Sequence, residues 1–296
     1  MIRATELRKS FGDLAAVDGL TMDVRRGETL GLLGPNGAGK TTTIHMLVGV
    51  LRPDAGEVIV DGSHHATDPD ARRRIGVAPQ SLSLYEDLSA AENLRFFASL
   101  YGMSGASLRE RTAWCLDFAG LTERAGDRVA TFSGGMKRRL NIAVALVHEP
   151  DVLLLDEPTV GVDPQSRNHI FEAIETLKAH GLTMLYTTHY MEEAQRLCDR
   201  VAIVDRGKLL DVECVETLIE RHGGTSIIEA KLLETSVADE LPGTLIDDVL
   251  RIETDRPLED IAELSRKGVS FTSLSVKRPD LEAVFLALTG RSLRDD

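Results

Sequence analysis

"GLLGPNGAGKTT", residues 31–42, places four glycines and one lysine in twelve positions. Before it, "ETLGLLG" (28–34) reads as a strand; after it, "KTTTIHMLVGVL" (40–51) reads as a helix with apolar residues near helical spacing. The glycines therefore sit on a strand-to-helix turn. Gly34-Pro35-Asn36-Gly37-Ala38-Gly39-Lys40-Thr41, with Thr42 following, matches the P-loop pattern G-x-x-x-x-G-K-[ST]. Without Cβ atoms, such glycines let successive N–H groups curl into an anion nest at a helix N-terminus, where the helix dipole adds positive potential. Lys40 is then placed for the β- and γ-phosphates of a nucleoside triphosphate, and the Thr41 hydroxyl for magnesium. The plainer alternative is a glycine turn that needs only positive φ; the strand and helix on either side favour phosphate.

A P-loop alone does not say what is done with the nucleotide. "DVLLLDEP" (151–158) is an apolar run of strand length that ends in two acids. It has the pattern of a buried parallel strand, whose carboxyl end is where open α/β sheets bind ligands. Asp156 suits the magnesium shell as a Walker B acid, and Glu157 is placed to orient or deprotonate an attacking water. A pair of helix-capping acids after a core strand is the alternative.

Between these motifs, "TFSGGMKRRLNIAVAL" (131–146) sets Ser133-Gly134-Gly135 at a loop-to-helix start, a second anion-binding helix N-terminus. One triphosphate needs only one P-loop, so two such sites suggest a nucleotide shared between two chains. With this segment the sequence resembles the ATP-binding subunits of ABC transporters, over residues 1 to about 215. The resemblance implies an α/β fold, a P-loop NTPase cassette with a mixed sheet core and a helical subdomain at about 81–135. It implies ATP and magnesium as ligands, adenine stacking for Phe11, and a γ-phosphate contact for His189 in "YTTHYMEEA". It also implies magnesium and water sensing for Gln80 in "GVAPQ", and contact across a dimer for Asp163 in "VGVDP". Met136 and Phe132 replace the usual glutamine and leucine of the signature, and Val160 and Val162 stand where serine and leucine are usual. None of these departures removes a phosphate ligand, a magnesium ligand or the candidate base.

The 296 residues, 43% hydrophobic and 27% charged, suffice for a large domain and a smaller one. We expect a cassette over 1–222, a boundary at Gly223-Gly224, and a small C-terminal α/β domain over 225–296. Its last helix carries Leu281, Val284, Phe285 and Leu288 as one apolar stripe. The ending "RPDLEAVFLALTGR" resembles the tails of ABC ATPases from bacterial drug- and lipid-exporting systems, including the daunorubicin-resistance type. No signal peptide or spanning helix is legible, and Cys115, Cys198 and Cys214 suit reduced structural thiols, so a cytoplasmic place is expected. The net charge of −13 argues against nucleic acid, and Arg72-Arg73-Arg74 and Lys137-Arg138-Arg139 read as solvated helix faces. Trp114 and the Phe96-Phe97 pair read as core, whereas Leu84 and Tyr85 are candidates for exposed contacts with a membrane subunit.

The expected function is an ATP-hydrolysing motor, dimeric with itself or a similar ATPase, held at the inner face of the cell membrane by a separate permease. A soluble ABC ATPase of translation or DNA repair is the alternative; such proteins usually carry two cassettes or a split one, and basic surfaces. A metabolic P-loop kinase would need neither Ser133-Gly134-Gly135 nor His189.

Overall fold

Thr29–Leu33, five consecutive buried residues, forms the strand that leads into the P-loop, and it lies inside a six-stranded sheet. In the computed structural model, which describes residues 1–62, 64–233 and 242–291, the order across this sheet is Lys208–Glu213, Arg200–Asp205, Thr29–Leu33, Thr183–Thr188, Val152–Asp156 and Ile75–Ala78. Neighbouring strands are parallel except for the first pair. Burial on both faces explains why "VLLL" (152–155) and "VAIV" (201–204) are unbroken apolar runs. Leu33 lies opposite Thr188, and Asp156 opposite Thr187. Gly34, Glu157 and His189 therefore leave the sheet together at its carboxyl edge, the ligand-binding edge of such sheets.

An antiparallel sheet of Leu14–Val24, Ile2–Phe11, Ala55–Val60 and His64–His65 shares a core with the first. Ile2, Leu7, Leu20 and Val60 pack there with Leu30, Leu32, Ile44 and Leu154. The P-loop helix spans Lys40–Leu47, shorter than the 40–51 expected. Gly49 ends it with φ +67, Gly49 N donating to Met46 O and Val50 N to His45 O, a Schellman stop.

Helices Ala90–Leu100, Gly105–Phe118 and Gly134–Leu146 build the helical subdomain around Leu94, Cys115, Leu116, Leu140 and Val144. Ser89 and Glu92 open the first of them with a capping box. Trp114 and Phe96 are not in this core, contrary to expectation: both are exposed, Trp114 at 40%, while Phe97 is half-buried. The inward face of Gly105–Phe118 is Thr112, Cys115 and Leu116, and Trp114 lies off it, stacked on Phe118 beneath the Arg111 guanidinium. Leu84 is also half-buried against the helical core, so of that pair only Tyr85 is exposed; Leu82 is exposed nearby.

The chain divides into compact units Met1–Cys214 and Val215–Asp295, so the boundary precedes the expected Gly223-Gly224. Helix Val215–His222 belongs to the second unit, where it packs on Leu281–Thr289. Leu281, Val284 and Phe285 are buried and Leu288 half-buried. The second unit's antiparallel sheet runs Thr244–Ile246, Val249–Thr254, Ser226–Leu232, Phe271–Lys277. Ile228, Leu250 and Ile252 of this sheet form a core with Leu264 from helix Pro257–Arg266. Among the described residues, no helix is long and apolar enough to cross a membrane.

Candidate functional site

The P-loop is shaped by close backbone approach. Gly39, with φ +97, is the N-cap of the helix Lys40–Leu47, and a Cβ there would meet the Ala16 carbonyl oxygen at 2.3 Å. A Cβ on Gly34 would meet the Val204 carbonyl oxygen, also at 2.3 Å. Only glycine fits either place. No side chain caps the helix start, which leaves its first-turn N–H groups for other acceptors. Lys40 is buried, donating to Gly34 O at 2.7 Å and Pro35 O at 2.9 Å and pairing with Glu157 Oε1 at 3.0 Å.

The Walker B acids are fixed from the neighbouring strand. Thr187 Oγ1 donates to Asp156 Oδ1 at 2.7 Å and accepts from Glu157 N at 3.0 Å. Thr41 Oγ1 donates to Asp156 Oδ2 at 2.9 Å, so the P-loop helix and Walker B strand meet through two candidate magnesium ligands. Glu157 has φ +46, a left-handed conformation that costs an L-residue roughly 1–2 kcal/mol. Its carboxylate meets Lys40, Gln80 Nε2 at 3.0 Å and His189 Nδ1 at 3.3 Å. The candidate base is thus held by an ammonium, an amide and an imidazole, each from a different motif.

Phe11, Asn36, Gly37, Gly39, Lys40, Thr41, Thr42, Gln80 and Glu157 line a cleft of about 310 Å³, with Leu14 and Ala16. Gly34, Pro35 and Ala38 are buried behind it, where Ala38 N donates to Pro35 O. Phe11 is exposed at the rim, with the Lys9 ammonium over its ring at 5.8 Å from the centroid. Among the described residues no cluster of three His, Cys, Asp or Glu could cage a metal. Thr41, Asp156 and Gln80 offer hard oxygen donors, which suits a cation that takes its other ligands from phosphate and water, as magnesium does.

Ser133, Gly134, Gly135 and Asp163 do not line this cleft. They form a second cluster. Ser133 Oγ caps helix Gly134–Leu146 by accepting from Met136 N at 3.2 Å, and Ser133 and Gly134 are exposed. Gly135 backs onto Ser166 in the first turn of helix Pro164–Ala179. Asp163 caps that helix, accepting from Ser166 N at 2.9 Å, and this bond holds its carboxyl below the usual range.

Lys137-Arg138-Arg139 is not the solvated face that its charge suggests. Arg138 is buried and donates to Pro79 O at 3.1 Å and Gln80 O at 2.8 Å. Asn141 accepts from Ser83 N at 3.0 Å and donates to Pro79 O at 3.3 Å. Arg139 donates to Ala119 O, and Lys137 pairs with Glu86. Burial pulls the Arg138 pKa down while Asp156 and Glu157 oppose it. The signature helix therefore clamps the Gln80 segment, which neither motif announces. A signal was present: Arg138 and Asn141 are three residues apart, on one face of the helix Gly134–Leu146. Of the other basic run, Arg74 pairs with Asp61 and Asp151.

Comparison with known proteins accords with this geometry. Residues 17–160 match the ABC transporter family. The linearmycin resistance ATP-binding protein of Bacillus subtilis is 42% identical, with 100% of each chain covered. Nod factor export ATP-binding protein I of Ralstonia nicotianae is 41% identical, covering 98% of this chain and 94% of its own. A solved dimeric ATP-binding cassette in a post-hydrolysis state, bound to ADP and phosphate, superposes with a TM-score of 0.66 at 28% identity, covering 72% of this chain and 98% of that one.

Proposed function

The chain belongs to the ATP-binding subunits of ABC transporters and is an ATPase; from that premise we propose that it is the motor of a membrane exporter, closing as a dimer on ATP to drive a separate transmembrane permease. One observation carries the dimeric mechanism: Lys40, Thr41, Thr42 and Glu157 line the cleft and Asp156 is bonded to Thr41, while Ser133, Gly134 and Gly135 stand outside it. A complete site then takes the cleft of one chain and the signature helix of another. Each chain has both halves, so a homodimer would have two such sites. Likeness over 98–100% of the chain to a linearmycin resistance ATP-binding protein and a Nod factor export ATP-binding protein supports export. It also disfavours a role in translation or repair, and the net charge of −13 disfavours nucleic acid. The permease would hold the chain at the inner face of the membrane.

In this reading Phe11 stacks on adenine and Gly34–Thr42 cradle the phosphates, with Lys40 on the β- and γ-phosphates. Thr41, Asp156 and Gln80 are the residues that would hold magnesium, whose charge would offset that of the phosphates. Glu157 takes a proton from water as the water oxygen adds to the γ-phosphorus and the bond to the leaving oxygen of ADP breaks. His189 steadies the γ-phosphate. Loss of that phosphate reopens the dimer.

Mixed dimers test the shared site. Lys40→Ala and Gly134→Asp should each be nearly inactive as homodimers. Their mixture assembles one interface with an intact P-loop and an intact signature, and should regain ATPase activity once mixed-dimer mass is verified. Mixed dimers no more active than either parent would count against the mechanism. Isolation of the chain from membranes with a co-purifying permease tests the motor assignment.

A further inference from the structure

Glu193 is buried, and three segments of the cassette converge on its carboxylate. Thr159, just past Glu157, donates through Oγ1 to Oε1 at 2.7 Å. Tyr186 OH and Thr188 Oγ1, from the strand Thr183–Thr188, donate to Oε2 at 2.9 and 2.7 Å. Arg167, on the helix capped by Asp163, pairs with Oε1 at 3.0 Å. A buried carboxylate is unfavourable unless its lone pairs find donors and its charge a partner, and here both conditions are met.

These contacts bracket His189. The Thr188 hydroxyl that donates to Glu193 also accepts from Tyr190 N at 2.9 Å, so one hydroxyl ties the residues on either side of His189. Arg167 lies over the Tyr190 ring, with its guanidinium carbon 5.1 Å from the centroid, and the Tyr190 and His189 rings are 4.1 Å apart. His189 in turn reaches Glu157. We infer that Glu193 is a positioning residue that holds the His189 ring against Glu157, through the Thr188 hydroxyl on one side and the Arg167–Tyr190 stack on the other. The inference rests on the reading of His189 as the γ-phosphate contact. It has a mechanical consequence: Thr159 and Arg167 flank the segment Val160–Asp163, so displacement of that segment reaches His189 through one carboxylate.

The test measures steady-state ATPase of the full-length chain for Glu193→Ala and Glu193→Gln, alone and in a His189→Ala background. A misplaced catalytic contact lowers turnover by roughly 10- to 100-fold, so kcat of Glu193→Ala should fall in that range with KM for ATP within about two-fold. In the His189→Ala background the same change should cost less than about two-fold, because residues acting through one another are not additive. Equal losses in both backgrounds would overturn the role of Glu193 alone, whereas a parental rate for His189→Ala would overturn the reading of His189. Should Glu193→Ala not fold, Glu193→Gln keeps the shape and replaces one acceptor by a donor. Ring-nitrogen NMR of isotope-labelled histidine, assigned by loss of the signal in His189→Ala, should then show the His189 resonance shifted or broadened. An unchanged resonance in folded Glu193→Gln overturns the inference.

Discussion

The two glycine-rich loops of this chain differ in what their glycines touch. In the P-loop, a Cβ on Gly34 or Gly39 would run into a carbonyl oxygen of the same chain at 2.3 Å. At Gly134 a Cβ would meet nothing within 4 Å. Gly134 also lacks positive φ and begins a helix, where alanine is the better former by up to about 1 kcal/mol. Gly34 and Gly39 are therefore required by the chain's own backbone. Nothing inside the chain requires Gly134, which fits a position kept small for something that approaches from outside, as a nucleotide held by a second chain would. Gly135 stands between these cases: its Cβ would meet Ser166 Oγ at 2.0 Å, a neighbour within the chain but a side chain rather than backbone.

The sharpest separation of chemistry from both loops is Glu157→Gln. It should lower kcat by roughly 10²–10⁴-fold, the usual contribution of a general base, while ATP affinity by calorimetry stays within a few-fold. A near-parental ATPase rate would show that Glu157 is not the base. Gly39→Ala comes next, since it combines a left-handed φ with a backbone collision. It should destabilise the chain by more than about 2 kcal/mol in denaturant unfolding and abolish ATP binding.

Gly135→Ala should cost about 1–3 kcal/mol as an overpacked contact, and Ser166→Gly should restore most of that loss in a double mutant. No recovery would mean that Gly135 has another constraint. Gly134→Ala should leave stability unchanged or raised within about 1 kcal/mol, yet weaken ATP-dependent dimer formation measured by mass. A destabilisation as large as that of Gly39→Ala would erase the contrast between the loops. The smallest effect is expected from removal of residues 215–296. Both loops lie in the first unit, so the truncated chain should bind ATP with unchanged affinity.

The ease of reading these features from sequence followed how local they are. The P-loop was legible because its geometry is set within one strand, one turn and one helix, and because glycine is the residue a tight loop demands. "DVLLLDEP" was legible because burial on both faces leaves an unbroken apolar run. Trp114 misled because aromatic size suggests a core place, whereas the helix turns Thr112, Cys115 and Leu116 inward instead. Arg138 misled because a run of positive charge suggests solvent, yet its guanidinium reaches two carbonyls of the Gln80 segment.

By itself the sequence determined the element types, the order of the motifs and the identity of the groups that can bind phosphate, since each depends on residues within one or two turns of each other. The tertiary structure decided which groups act together. Thr41 meets Asp156 across 115 residues, Gln80 meets Glu157 across 77, and His189 meets Glu157 across 32. Parallel pairing of Thr29–Leu33, Thr183–Thr188 and Val152–Asp156 brings those ends to one edge. It also decided that Glu193 is a hub, because a carboxylate becomes one only when burial removes water and the fold supplies its donors from distant segments.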